Sequence, residues 1–320
     1  CSWRRPPARP TAAAEASPVA TRETAPGIAP ARPRGPWWTA WRCAARGASR
    51  HLAATPSDLR SGALLRLAEE LDRRAPGILA ANAEDIRAAA DILDASALAR
   101  LRLDAAKLEA MAKGVRAVAA LPDPLGRVSL RRELDEGLEL TRVSSPLGVL
   151  CVVFESRPDA LIQISALALK SGNAVLLKGG SEARHSNAGL LEAVQAALRD
   201  GGLPEAAVQG LPDRAAVAAL LQRPDLVDLV IPRGSRELVL SLQAATRIPV
   251  LGHADGVCHM VLDAAADTAM AVALVRDAKL QYPAACNAVE TVLIHRQAAP
   301  RLLPALAALP ALLGAPGGHT

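Results

Sequence analysis

Aromatic residues are nearly missing from this chain: one Phe, one Tyr and four Trp make up 2% of its 320 residues. All four Trp (Trp3, Trp37, Trp38 and Trp41) precede residue 42, so Phe154 and Tyr282 are the only aromatics in everything that follows. An aromatic-based core is excluded, and packing must rest on Leu, Ala, Val and Ile. Also missing is any uncharged apolar stretch of ~18–20 residues, which argues against a membrane-spanning helix. The five cysteines (Cys1, Cys43, Cys151, Cys258 and Cys286) are scattered, odd in number and without C-x-x-C spacing. A disulfide framework is thereby disfavoured and a reducing compartment fits. Finally, the bulk of the chain lacks any charge excess. Residues 1–50 carry nine Arg, no Lys and two acids, while the other 270 residues hold 28 basic and 30 acidic side chains. The net charge of +5 therefore resides in a flanking segment, and a nucleic-acid partner is not expected.

What is present is 51% hydrophobic sequence, long enough to bury a substantial core. Residues 1–45 are rich in Pro, Ala and Arg and have no apolar period. They read as a disordered leader, equally well an organellar transit peptide or an interdomain linker. The chain starts with Cys, not Met, which suggests an incomplete beginning. Helical periodicity is expected from Ser57, as a cap, with Leu64, Leu65, Leu67 and Leu71 on the apolar stripe. A second helical stretch is expected over 82–120, interrupted near Asp91–Asp94 and stopped by Leu121–Pro124. A two-stranded arm should span about 128–143. From Leu147 to Leu251 strands (147–154, 174–177, 226–231, 249–251) alternate with helices, which indicates a parallel sheet covered on both faces. The pattern then restarts with a strand at 258–262, a helix at 267–280 and a strand at 291–295. The Leu/Ala/Pro-rich end from Arg301 offers no clear closing element. The division expected is 46–251 for an α/β cofactor domain and 252–320 for an incomplete second domain.

Ligands of such sheets sit at the carboxyl ends of the strands, and five segments fall there. In Phe154-Glu155-Ser156-Arg157-Pro158-Asp159, Ser156 and backbone N–H groups can face an anion or oxyanion, and Arg157 can grip phosphate. An ordinary helix start with a solvated Arg is the alternative. Lys178-Gly179-Gly180-Ser181 offers a cation and close backbone approach, or an ordinary turn. Arg233-Gly234-Ser235 suits phosphate at a helix start, or is simply a capped helix. The segment with His253, Asp255, Cys258 and His259 matches no common zinc spacing, so no metal is expected and a loop bringing His253 and Asp255 to the cleft is preferred. Cys286, beside Asn287, follows the small-residue turn Pro283-Ala284-Ala285. A lone Cys is by default a buried small hydrophobe, although neighbouring N–H groups can lower its pKa.

These segments, together with the runs Ser145–Val149, Lys170–Asn173, Leu177–Glu182 with Ser186-Asn187, Val250–His259 and Lys279–Thr291, resemble the γ-glutamyl phosphate reductase family, also called glutamate-5-semialdehyde dehydrogenase. It is a branch of the aldehyde dehydrogenase superfamily, and its module also forms half of bifunctional pyrroline-5-carboxylate synthase. The resemblance covers about residues 43–300. It implies an aldehyde-dehydrogenase-like α/β fold, with a Rossmann-type parallel-sheet cofactor domain and a truncated α/β catalytic domain. It implies reduction of L-glutamyl 5-phosphate to the 5-semialdehyde in proline biosynthesis, with NADPH as cofactor. By this likeness Cys286 is the thiol nucleophile, and Ser156 with the Cys286 N–H supplies the oxyanion donors, beside Asn287. Lys178, Gly179, Gly180 and Ser181 hold the adenosine end, and Gly234 and Ser235 the pyrophosphate. Arg157, Arg233, His253 and Asp255 face substrate. The segment at Gly252-His253 has no Glu to activate water, which suits a reductase. Ser181, standing where NAD-specific members often carry Glu, leaves room for a 2′-phosphate.

The resemblance further implies a homo-oligomeric parent and leaves open a preceding glutamate kinase domain. Expected locations are the cytoplasm or, if the leader is a transit peptide, a plastid or mitochondrion. Family members continue well beyond the point where the match fades, near Arg296. The chain alone is therefore expected to be inactive or poorly folded. Two alternatives stand beside the reductase: another aldehyde- or acyl-processing dehydrogenase of the superfamily, and a truncated, non-catalytic chain.

Overall fold

The computed structural model describes residues 36–155, 157–252, 256–281, 283 and 287–309, without the side chains of residues 36–43 and Ser96. Four helices come first: α1 (Pro36–Ala54), α2 (Ser57–Ala89), α3 (Ala95–Leu101) and α4 (Ala105–Ala120). The helix α1 starts ten residues inside the segment that reads as disordered. Its buried face is made of small residues (Ala45, Ala48 and Ser49, then Leu52), a helical spacing that a search for large apolar side chains passes over. The two helical stretches expected over 57–120 are also divided differently. Helix α2 runs unbroken for 33 residues through Pro76, which lies at an exposed position. Ser57 does not cap α2; its hydroxyl instead helps hold the Asp123 carboxyl below its ordinary range. Leu64, Leu67 and Leu71 are buried as expected, whereas Leu65 is 47% exposed.

Next comes an antiparallel hairpin, β1 (Val128–Asp135) with β2 (Leu138–Val143). Every residue in both strands is exposed. The turn uses Gly137 at φ +72°, a left-handed conformation that glycine adopts without strain.

The following alternation is β3 (Val149–Phe154), α5 (Pro158–Lys170), β4 (Ala174–Lys178), α6 (Arg184–Asp200), β5 (Val208–Gly210), α7 (Arg214–Leu220), β6 (Leu229–Arg233) and α8 (Arg236–Ala245). The four strands form one parallel sheet in the order β5-β4-β3-β6. Strand β3 is buried on both faces along its whole length, which explains its uninterrupted apolar sequence. Its side chains divide by the two-residue period. Leu150, Val152 and Phe154 join the larger core with α2, α4, α5 and α6. Val149, Cys151 and Val153 join a smaller one with α7 and α8. Strand β5 was not foreseen: at three residues it is too short to show a period. The expected strand at 249–251 is a single parallel bridge, Val230 to Val250, since Pro249 has no N–H to extend a ladder.

Gly148, at φ +122°, leads into β3. A Cβ there would lie 2.1 Å from Asp228 Oδ2, which accepts from Val149 N (2.7 Å) and Arg46 Nη1 (2.6 Å). Gly148 N in turn donates to Asn173 Oδ1 at 2.8 Å. The start of β3, the start of β4, helix α1 and the approach to β6 are thus tied at one point.

Beyond residue 255, β7 (Cys258–Leu262) and β8 (Val289–Ile294) pair in parallel across α9 (Thr268–Leu280). Helix α10 (Ala299–Ala307) follows, an element absent from the expected reading because Pro300 and Pro304 obscure it. Pro300 is in its first turn, where no N–H is needed. Leu262, Ala271, Val275, Ala298, Leu302 and Leu306 form a core of their own.

Candidate active site

The strand order places a switch point between β3 and β6. From β3 the chain steps outward through β4 to β5, then returns to the other side of β3 as β6. A crevice opens at the carboxyl ends where the helices on either side diverge. The ladder pairs Phe154 with Arg233 there, and Glu155 N donates to Arg233 O at 3.2 Å. The two motifs expected to meet are therefore adjacent. Ser235 caps α8 through Leu238 N (3.3 Å), and its own N–H donates to Glu155 Oε2 at 3.1 Å. Gly234 permits this approach, since a Cβ would meet Glu155 Oε2 at 2.4 Å and Leu238 Cδ2 at 2.8 Å. The first turn of α8 thus holds a carboxylate, the kind of anion its N–H groups and dipole favour. Glu155 was not singled out from the sequence.

Along the sheet, Lys178 ends β4 and is half-buried; its Nζ donates to Gly179 O. Burial holds its pKa below the ordinary lysine range, the nearby positive charge of Arg214 adds to the effect, and Glu182 and Asp213 oppose it. Arg214 is the second residue missed. It opens α7 just past β5, whose end is joined to β4 by Leu211 N donating to Leu177 O at 2.7 Å. The Asp213 cap before it, accepting from Ala216 N at 2.8 Å, was the legible signal. Gly179 is closed in by Asn187 Nδ2, 2.3 Å from where a Cβ would stand, and by Phe154 at 3.1 Å. Asn187 Oδ1 is buried without a hydrogen-bond partner. Glu182 lies over Gly180, its Oε1 at 2.0 Å from a Cβ position, while Ser181 is exposed. The acid at this corner is therefore Glu182.

Arg157 is half-exposed and points a guanidinium nitrogen at Asp159 Oδ1, 4.0 Å away. Both residues line a cavity of about 660 Å³ between α4 and α5. Arg233 is exposed at the end of β6, and Asn287 is exposed in the turn before β8. Ser156, His253, Asp255 and Cys286 lie outside the described residues. Among the described residues no group of three or more His, Cys, Asp or Glu could hold a metal ion. No described helix is long and apolar enough to cross a membrane.

With this geometry in place, the sequence matches the aldehyde dehydrogenase family over residues 38–313. The chain belongs to that family. Within it, the chain is 54% identical over 266 residues to the gamma-glutamyl phosphate reductase of Synechococcus sp. (strain JA-2-3B'a(2-13)), covering 81% of this chain and 58% of that protein. It is 54% identical over 269 residues to the enzyme of the same name from Synechococcus sp. (strain WH7803), covering 84% and 61%. The chain thus spans about three fifths of these curated relatives. Among solved structures, the gamma-glutamyl phosphate reductase of Thermotoga maritima superposes with a TM-score of 0.79 at 34% identity, over 84% of this chain and 66% of that one. The Saccharomyces cerevisiae enzyme gives 0.64 at 38% identity, over 86% and 70%. The aldehyde-dehydrogenase-like α/β fold with its parallel sheet is therefore established.

Proposed function

We propose that this chain carries the cofactor site and the nucleophile of an NADPH-dependent reductase converting L-glutamyl 5-phosphate to L-glutamate 5-semialdehyde and phosphate. The observation that carries the reading is the 54% identity, over 266 residues, to a reductase of that name. Residues 46–251 would form the cofactor domain and 252–320 part of the catalytic domain, and the active parent would be a homo-oligomer.

The described residues fit a nicotinamide dinucleotide. Lys178 and Arg214 put two cations beside the Gly179-Gly180 turn, and Asn187 offers an unfilled buried acceptor against Gly179. Gly234 leaves the Ser235 N–H reachable once Glu155 moves aside. Exposed Ser181 leaves space for a 2′-phosphate, and Lys178 with Arg214 supplies cations to meet it at a corner that also holds Glu182 and Asp213; both features favour NADPH. When bound, the cofactor supplies a hydride.

The chain's own residues do the rest. The Cys286 thiolate attacks the acyl carbon; a C–S bond forms, the C–O bond to phosphate breaks, and phosphate departs with the electron pair. Ser156 and the Cys286 N–H donate to the oxyanion. Arg157 and Arg233 attract the anionic groups of the substrate, His253 and Asp255 border it, and Asn287 borders the thiol. After reduction the carbon–sulfur bond breaks, releasing aldehyde and restoring the thiolate. Replacing Cys286 by Ala in the full-length parent should abolish glutamyl-phosphate-dependent NADPH oxidation while leaving NADPH binding intact. Retained turnover would refute the mechanism.

A further inference from the structure

The turn from β6 into α8 is already filled. Gly234 carries no side chain, and Glu155 takes the room this leaves: a Cβ there would stand 2.4 Å from Glu155 Oε2 and 2.8 Å from Glu155 Cδ. The same Oε2 accepts from Ser235 N at 3.1 Å. Glu155 reaches this place because the ladder between β3 and β6 runs one step past Phe154, with Glu155 N donating to Arg233 O at 3.2 Å. A second carboxylate serves the same turn. Glu237, on α8 itself, is held below the ordinary glutamate range by its own backbone N–H and by the Ser235 hydroxyl. Leu238 N donates to Ser235 Oγ at 3.3 Å. The N–H groups of Ser235, Glu237 and Leu238, at a helix start that favours negative charge, are thus engaged from within the chain. Of the two carboxylates Glu155 is the one free to leave, because it is exposed and belongs to the segment after β3, not to the helix.

We infer that Glu155 is an internal competitor of the dinucleotide pyrophosphate: it holds the start of α8 in the free chain and is displaced when the cofactor enters. The inference rests on the cofactor reading above and adds what that reading does not specify, namely what limits the cofactor's affinity. The two anions need the same Ser235 N–H and the same space beside Gly234, so each excludes the other. A pyrophosphate brings more charge and more acceptor atoms to the helix start than one carboxylate does, and it prevails. Displacement still costs part of its binding energy. Only the form with Glu155 swung out accepts the cofactor, so the affinity measured for the free chain is lowered by the fraction in that form.

The test uses the 320-residue chain and two probes: NADPH, and adenosine 2′-monophosphate, which has no pyrophosphate. Glu155→Gln keeps the length of the side chain and removes its charge, leaving a weaker acceptor on Ser235 N. NADPH affinity, read from the fluorescence of the nucleotide, should rise about threefold to fivefold, the range of one exposed charge contact. Affinity for the monophosphate should stay as in the parent. A merely structural role for Glu155 would instead weaken both probes together and lower the melting temperature. Isotope-edited NMR of the parent supplies a measurement that needs no variant: the Ser235 amide should shift when NADPH is added and stay in place with the monophosphate. Unchanged or weaker NADPH binding by Glu155→Gln, or a Ser235 amide indifferent to NADPH, would each overturn the inference. If the parent binds NADPH in those cases, the cofactor reading stands. If the parent binds neither probe, that reading fails and the inference falls with it.

Discussion

Two cysteines in this chain have opposite expected chemistry. Cys151 lies in the middle of β3, fully buried, and burial pushes its thiol up to about 12. Only a thiolate is nucleophilic, so Cys151 should resist alkylation at pH 8 in the native chain and react after unfolding. Peptide mapping by mass spectrometry reads both states, and early labelling of Cys151 would contradict the buried assignment. Lys178 makes a pH prediction whose sign follows from its lowered pKa. In the free chain Lys178 gives up its proton below the ordinary lysine range, whereas a bound phosphate would hold the proton on. Cofactor binding in that alkaline window should therefore take up a proton, and NADPH affinity should fall as pH rises through it. Lys178→Arg should flatten the dependence, since arginine stays charged. Arg214→Gln should weaken NADPH several-fold more than NADH, by the ~1 kcal/mol of one exposed charge contact; titration calorimetry with both cofactors decides it.

Among the elements, the join of α2 to the end of α5 and to the segment after α4 depends on a buried cation. Arg60, 2% exposed, donates to Thr55 O at 3.2 Å, to the Lys170 carbonyl at the end of α5 and to Asp123 Oδ2 at 2.7 Å. Lys170, also buried, spans back to Ser61 Oγ (2.8 Å) and Ala119 O (2.9 Å). Removing one member leaves buried carbonyls and a carboxylate without partners. Arg60→Ala should cost on the order of 3 kcal/mol in urea unfolding, against a fraction of that for an exposed pair such as Arg131 with Glu139. None of this was visible in the sequence, because Arg60 reads as one more charged position on an amphipathic helix. What was visible follows a physical rule. Continuous apolar runs such as Val149–Phe154 gave the sheet, and Asp or Ser before an apolar period gave the starts of α7, α8 and α9. What failed had weak local signals: a three-residue strand, a helix with an alanine face, and two prolines inside α10. At the candidate site, the turns at Lys178 and Arg233 were legible as motifs. Glu155 and Arg214 were not, since each takes its place from a partner distant in sequence.

At the scale of the whole chain, the described residues hold cores of very unequal size. The two clusters flanking the four-stranded sheet draw on most of the buried residues, whereas the β7–β8 unit closes over six. Apolar side chains on that smaller unit are open to solvent, including Val261 (71%), Met270 (58%) and Leu293 (49%). Local stability follows buried apolar contact, so amides of β7, α9 and β8 should exchange hydrogen well before those of β3 and β4. Exchange of both groups in one cooperative step would contradict this.

One knot in the backbone carries a consequence for how such a gene can drift. At position 148 the chain requires a conformation closed to L-residues, and the carboxylate of Asp228 already fills the place of any side chain. Every missense change in that codon thus adds an atom where none fits, at the junction that sets β3 among its neighbours. Population sequencing should find the position silent to substitution while exposed sites such as Leu134 vary freely. A glycine there marks lineages in which this sheet is still under selection.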